Sequence, residues 1–280
     1  MTLARALRIL IPLLLVTAVV VYAEGPLYVG GPANVPGQPV ANSVPGVPFR
    51  WNPAQFPVTY WTDQGSLGSQ NNTQANQLVA TAFQTWQSVP TAAISFSNAG
   101  PLTADITASN VQTLMDQLGN CSIALGPSRL ARDRSIIYDT NGTIVDALLG
   151  PGNSDSTLGF ADALCFSSDG VSNNYFNRGY AVLNGRFTST AQDRTDLQAV
   201  MVHEFGHLIG LDHSQINLDC LNNPSCPGLA GLPTMFPILL DGGQMLTPST
   251  DDQAGLSVLY PGRASVTWAR SAVTSSSRTA

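Results

Sequence analysis

The sequence predicts one domain of the α+β class. Its 280 residues are enough for one sizeable domain with terminal segments, and no internal repeat indicates a solenoid. Short segments rich in β-branched and aromatic residues predict strands, whereas a long stretch with apolar residues at helical spacing predicts a helix. A second helix is predicted around the segment that contains every histidine of the chain.

The predicted strands are short. The first spans residues 56–61, where Pro57 favours a strand start or an edge position. The remaining strand candidates are residues 93–97, 104–108, 135–139 and 179–183.

Three helices are predicted, at residues 73–88, 196–209 and 251–259. The first carries apolar side chains on one face and glutamines on the opposite face, so we expect it to pack on the sheet. The other two are expected to begin at capping boxes, which are a Ser or Thr followed three residues later by Gln or Glu. Thr195 with Gln198 and Thr250 with Gln253 fit that pattern.

Both ends of the chain are set apart from the domain. Residues 1–23 have two arginines before an apolar run and small residues at its end, which is typical of a signal peptide. We therefore expect secretion without stable membrane insertion, and an uncleaved N-terminal anchor is the alternative. Residues 24–49 form a Pro/Gly-rich leader or pro-segment, 50–262 the compact domain, and 263–280 a disordered tail.

The composition excludes one class of partner. Only 11% of the residues are charged, against roughly 25% in typical soluble proteins, and the formal net charge is −6. An acidic chain is a poor candidate for binding nucleic acid, so no such partner is expected. We expect a monomer.

The four cysteines are Cys121, Cys165, Cys220 and Cys226. An even number in an exported chain favours disulfides, and three pairings are possible. We favour Cys121 with Cys165 and Cys220 with Cys226. Thiolate metal ligation is the competing hypothesis, but the close C-x-x-C spacing of structural zinc sites is missing.

All three histidines lie in residues 203–213, which follow the pattern H-E-x-x-H-x-x-G-x-x-H. His203 and His207 are four residues apart, so a helix presents both imidazoles on one face within reach of one ion. Gly210 permits the left-handed backbone that ends the helix and turns His213 toward the same metal. The segment therefore predicts a metal site with three imidazole ligands.

Three imidazoles leave one coordination position open, which distinguishes a catalytic zinc site from a structural one. At the open position zinc lowers the pKa of a bound water molecule and polarises a substrate carbonyl group. Glu204, next to the first histidine, is placed to act as general base. The pattern thus predicts a zinc-dependent endopeptidase that acts on protein or peptide substrates. The alternative is a zinc-containing binding or adhesion protein that has lost turnover.

The motif resembles that of the metzincin metallopeptidases, whose zinc-binding consensus is followed by a methionine-containing turn. Residues 234–237, Thr-Met-Phe-Pro, are similar to that turn, so Met235 is expected to support the site without binding zinc. Ser214 after the third histidine and the segment 246–260 resemble the matrixin branch, which contains the matrix metalloproteinases. In that branch an aspartate bonds to the methionine turn, a role for Asp251 or Asp252.

The resemblance implies a zincin fold over residues 50–262. Such a fold has a twisted, mostly parallel five-stranded sheet with one antiparallel edge strand, a backing helix, an active-site helix and a C-terminal helix. Substrate is expected to lie extended along the edge strand. The residues expected to contact substrate are Gly159, Phe160, Ala161, Pro237 and Ile238.

The chain departs from the matrixins in two features. Matrixins commonly hold a second, structural zinc with further histidines, and this chain has none left, so one zinc ion is expected. The cysteine-switch segment of the family has no counterpart, because residues 24–50 contain no cysteine.

Residues 139–142 and 150–155 are two turns with oxygen donors, and Ca²⁺ or simple solvation explains them equally well. We name them the calcium-candidate turns.

Overall fold

A mostly parallel sheet lies at the centre of the fold. The structure is a computed structural model that describes residues 25–31, 43–214, 232–239 and 243–262. The strands in these residues are β1 (Phe49–Trp51), β2 (Val58–Thr62), β3 (Phe96–Pro101), β4 (Arg134–Asp139), β5 (Gly159–Ser168) and β6 (Asn174–Asn184).

All six strands belong to one sheet, which is five strands wide because two of the strands share one position. The order is β1-β6-β4-β2-β3, and β5 also pairs with β6. β1 pairs with the first residues of β6, and β4 pairs with the last residues of β6. β1 and β4 therefore lie end to end along the same side of β6. Every pair is parallel except β5 with β6. The predicted mostly parallel sheet with an antiparallel edge strand is confirmed, and β1 is a short addition.

Helices cover both faces of the sheet. Within the described residues they are α1 (Asn72–Gln87), α2 (Val111–Gly119), α3 (Thr143–Leu149), α4 (Ala191–Leu208) and α5 (Thr250–Leu259). Alternate residues of β4 point to opposite faces: Tyr138 packs in the core of α1 and α4, and Ile137 packs with α2 and α3. The fold therefore has three layers, with the histidine helix α4 in an outer one.

Phe83 of α1 connects the sheet to α4. Its ring stacks on Tyr60 of β2 with centroids 4.2 Å apart and on Phe205 of α4 at 4.1 Å. Trp86, one turn further along α1, donates its indole N–H to the carbonyl of Val202 at 2.7 Å. These contacts hold α4 by two residues, Val202 and Phe205, that lie next to the motif's His203 and Glu204.

One predicted strand is wrong. Residues 104–108 lie in the connection before α2, outside any strand. Ile106 is buried, but its N–H is donated to the carboxylate of Asp63 at 2.9 Å instead of to a neighbouring strand. The strand predicted at 93–97 also begins later, at Phe96.

Two helix starts differ from the predicted ones. α4 begins at Ala191, because Thr190 and Asp193 form the capping box, and Thr195 lies inside the helix with its hydroxyl on the carbonyl of Ala191. α5 is capped by Ser249 with Asp252 instead of Thr250 with Gln253. In both helices the side chain that accepts the first backbone N–H groups comes earlier in the sequence than the predicted capping residue.

The disulfide between Cys121 and Cys165 is present, which confirms one of the two favoured pairings. It joins the residues after α2 to the edge strand β5. Cys220 and Cys226 lie outside the described residues. The segments predicted as signal peptide and tail, residues 1–23 and 263–280, also lie outside them.

Asp63, at the end of β2, accepts three backbone hydrogen bonds inside the fold. Its carboxylate is fully buried and receives the N–H groups of Gln64, Ile106 and Tyr138 at 2.7, 2.9 and 3.0 Å. These bonds join β2, β4 and the connection to α2. The side chain thus replaces the strand ladder that residues 104–108 do not form.

Asp63→Asn should destabilise the protein by about 1–3 kcal/mol, because the new amide group directs a donor at a buried backbone N–H. Asp105→Asn, on an exposed neighbour, is the matched control and should change the unfolding free energy by less than about 0.5 kcal/mol. Urea unfolding of the two variants measures the difference. Equal stability of both variants and the wild type would contradict this role.

Candidate metal centre

The three histidines come together at the C-terminal end of α4. His203 and His207 lie on the last two turns of the helix, which ends at Leu208. Gly210 then adopts a left-handed conformation with φ of 98°, and a Cβ there would collide with the ring of Phe176. The chain turns back at this point and brings His213 to the other two.

Two backbone carbonyls fix the orientation of the helical histidines. Nδ1 of His203 lies 2.7 Å from the carbonyl oxygen of Thr234, and Nδ1 of His207 lies 2.8 Å from that of Leu211. A carbonyl oxygen only accepts hydrogen bonds, so each Nδ1 carries the proton. The Nε2 atom of each neutral ring is therefore left with an unshared electron pair.

The Nε2 atoms converge on one point. Nε2 of His207 is 3.2 Å from Nε2 of His203 and 3.1 Å from Nε2 of His213, and the three ligand atoms all lie within 4.8 Å of one another. Two nitrogens on one tetrahedral zinc at about 2.1 Å are roughly 3.4 Å apart. The donor set therefore fits a zinc ion, which would offset the repulsion between these electron pairs.

Burial keeps these imidazoles neutral. It lowers the pKa of His203 to about 4 and that of His207 to about 3, and it lowers the pKa of the less buried His213 as well. At neutral pH the helical pair therefore holds its electron pairs free of protons. Such rings are ready to bind a metal without first losing a proton.

Glu204 lies between the histidines and the edge strand. Its side chain is buried, and burial raises the pKa of the carboxyl group to about 8, opposed by a hydrogen bond from the backbone N–H of Ala161 in β5. A Cβ on Gly159 would lie 3.1 Å from Cγ of Glu204. The strand thus approaches the carboxylate closely enough to orient it.

The turn that contains Met235 lies directly beneath α4. A Cβ on Gly206 would overlap the sulfur of Met235, so the absence of a side chain at this position lets the two elements touch. Met235 is completely buried, and its carbonyl accepts the N–H of Ser214 at 2.9 Å. The turn therefore contacts both the helix and the residue after His213.

Asp252 at the start of α5 binds this turn, and it does so from a fully buried position. Its carboxylate accepts the N–H groups of Thr234 at 2.7 Å, Met235 at 3.1 Å and Ser249 at 2.6 Å. Of the two aspartates expected there, Asp252 is the one with these contacts. Because the carbonyl of Thr234 orients His203, Asp252 lies two hydrogen bonds from the histidine site.

A cleft opens beside the histidines with a volume of ≈ 690 Å³. The five residues expected to contact substrate, namely Gly159, Phe160, Ala161, Pro237 and Ile238, all line it together with Glu204 and the three histidines. Leu158 and Leu239, which adjoin these residues in the sequence and were expected with them, also line the cleft, and its further walls are Ser156, Thr157, Ala199, Val200, Phe236 and Met245. Apolar side chains therefore form much of the cleft wall beside the polar group of Glu204 and the histidines.

A family model described as matrixin matches residues 50–223, which is more than half of the chain. The chain belongs to the matrixin family. Matrixins are metallopeptidases, so membership implies zinc binding, and the three histidines are a cluster that could hold a metal ion.

No curated protein matches the chain. Among solved structures, the GM1-bound form of the ECX AB5 holotoxin is similar at 16% identity with a TM-score of 0.38, covering 74% of this chain and 82% of that one. At that TM-score the likeness carries no weight for either fold or function.

The calcium-candidate turns of this matrixin use their oxygen atoms internally. In the first turn the carboxylate of Asp139 accepts the N–H groups of Gly142 and Val145 at 2.9 and 2.7 Å, and in the second the carboxylate of Asp155 forms an ion pair with Arg186 at 2.6 Å. Among the described residues, only the three histidines form a cluster of metal-binding side chains. The calcium prediction therefore has no support in these turns.

No helix within the described ranges is both long enough and apolar enough to cross a membrane.

Asp252→Ala should weaken both the fold and the metal site, because the buried N–H groups of Thr234 and Met235 and the half-buried one of Ser249 lose their acceptor, and the Thr234 carbonyl that orients His203 loses its support. We expect a loss of about 2–4 kcal/mol in unfolding free energy and a larger zinc dissociation constant. Thr250→Ala, on an exposed residue of the same helix, is the control and should change neither quantity appreciably. Zinc affinity at the wild-type value in Asp252→Ala would contradict the proposed support.

Proposed function

We propose that this matrixin is a secreted zinc-dependent endopeptidase with one catalytic zinc ion. The observation that carries the proposal is the convergence of three Nε2 electron pairs beside a buried carboxylate in an open cleft. In this proposal His203, His207 and His213 bind the metal, and Glu204 is the general base. A closed structural zinc site would need a fourth protein ligand, and the described residues offer only three.

A bound zinc ion would supply Lewis acidity to the substrate carbonyl and to a water molecule. The positive charge of the zinc would offset the effect of burial on the pKa of Glu204, so its carboxylate would take a proton from the attacking water and then deliver it to the leaving nitrogen. The N–H of Ala161 holds the carboxylate in place for both transfers. The backbone carbonyls of Thr234 and Leu211 accept hydrogen bonds from Nδ1 of His203 and His207. They keep both rings in the tautomer that binds metal.

The proposed substrate is an extended polypeptide. β5 pairs with β6 along one side, and its residues Gly159, Phe160 and Ala161 line the cleft. An added peptide strand can use the backbone groups of such an edge without any particular side chain. Pro237, Ile238 and Leu239 give the cleft an apolar wall, which favours an apolar substrate side chain beside the cleaved bond.

Glu204→Gln should retain zinc and lose about 10²–10⁴ in kcat/KM, because the amide keeps the shape of the side chain but cannot accept the proton. The measurement is chelator-sensitive cleavage of an unfolded protein, with zinc content determined on the same samples. Asp196→Asn removes a carboxylate from the same helix outside the cleft and should keep wild-type activity.

Two outcomes of this experiment would count against the proposal. Wild-type cleavage rates in Glu204→Gln would contradict the role of the carboxylate. A wild-type protein that is fully loaded with zinc yet cleaves no unfolded protein or peptide would favour the alternative, a zinc-containing binding or adhesion protein.

A further inference from the structure

We propose that residues 25–31, before the domain predicted from the sequence, are a positioning element of the metal site. We call this segment the N-terminal strap. The inference rests on the zinc site proposed above, and it assigns a function to residues expected to be a leader or a removable pro-segment. Its physical basis is a set of backbone hydrogen bonds between the strap and the loop that carries His213.

The strap pairs with the loop as a short antiparallel bridge between Pro26 and Leu211. The N–H of Leu27 is donated to the carbonyl of Gly210 at 2.7 Å, and the N–H of Asp212 is donated to the carbonyl of Gly25 at 2.9 Å. Both bonds use the backbone alone. They enclose Leu211 from either side.

Leu211 is the residue whose position matters to the metal. It is completely buried, its carbonyl accepts Nδ1–H of His207, and its own N–H is donated to the carbonyl of Gly206. His213 follows only two residues later. The strap therefore holds the backbone that orients one metal ligand and presents another.

The strap is itself fixed at a distance from the loop. The hydroxyl of Tyr28 is donated to the carboxylate of Asp162 in β5 at 2.8 Å, and its ring packs edge-on against Phe166 at 5.1 Å. The carbonyl of Tyr28 accepts the N–H of Phe49 in β1 at 2.9 Å. Because these anchors lie on the sheet, the strap transmits the position of the sheet to the metal loop.

The end of α4 explains why such a donor is needed. The last carbonyls of a helix have no partner within it. The carbonyl of Leu208 accepts the indole N–H of Trp51, and that of Ile209 accepts the hydroxyl of Tyr260. The next carbonyl, of buried Gly210, accepts the N–H of Leu27, so the strap supplies the third donor in the series.

The test compares Leu27→Pro with Leu27→Ala in the full chain. Proline lacks the N–H that reaches Gly210, whereas alanine keeps it and shortens only the side chain. Zinc affinity is measured by competition with a chelator, and the geometry of the site by the visible absorption spectrum of the Co²⁺-substituted protein. We expect Leu27→Pro to bind zinc about tenfold more weakly with an altered cobalt spectrum, and Leu27→Ala to stay within about twofold of the wild type.

Two results would overturn the inference. One is wild-type zinc affinity and an unchanged cobalt spectrum in Leu27→Pro. The other is an equal loss in Leu27→Ala, which would assign the effect to side-chain packing instead of the N–H group.

Tyr28→Ala provides a second variant in case proline prevents folding. It removes the anchor on Asp162 without altering the backbone, and it should also weaken zinc binding, so an unchanged affinity would again overturn the inference. These readouts do not depend on peptidase activity. A wild-type protein that binds zinc but cleaves no substrate would contradict the proposed function. The role of the strap would still be tested by the zinc affinities of the variants.

Discussion

Three imidazole electron pairs directed at one point are the constraint on which the rest of the site depends. Neutral Nε2 atoms 3.1 and 3.2 Å apart repel one another unless a cation lies between them, so the fold must hold the rings in an arrangement that only a metal makes favourable. The carbonyls of Thr234 and Leu211 do this by keeping the proton on Nδ1 of the helical histidines. Burial adds to the effect, because it disfavours the charged, metal-free imidazolium.

Those carbonyls are held by segments far apart in the chain. Thr234 belongs to a turn bound by Asp252 of α5, and that turn fits against α4 only because residue 206 is glycine. Phe83 and Trp86 of α1 hold the opposite side of α4 through ring stacking and one hydrogen bond. A ligand set assembled from so many elements couples metal affinity to global stability, since metal binding stabilises the state in which all of these contacts exist.

The convergence of the three histidines was predictable from the sequence because their spacing is local. A spacing of four residues on a helix and a glycine turn bring the three histidines near one another, and contacts from the rest of the chain then orient them. Asp252 and Asp251 are equivalent in the sequence, and only the approach of α5 to the methionine turn distinguishes them. Both Thr190 and Thr195 begin a capping pattern, and the helix α4 starts at the earlier one, where Thr190 and Asp193 form the capping box. The pairing of residue 27 with residue 210 has no local signal at all, and α2, with its buried Val111, Leu114 and Leu118, was too short to stand out.

X-ray absorption at the zinc edge tests the central claim most directly, because it counts and identifies the atoms bound to the metal. For the zinc-loaded protein we predict one ion per chain with three imidazole nitrogens and one oxygen at about 2.0–2.1 Å. A spectrum with sulfur ligands or with fewer than three imidazoles would contradict the account. So would a folded protein that takes up no zinc.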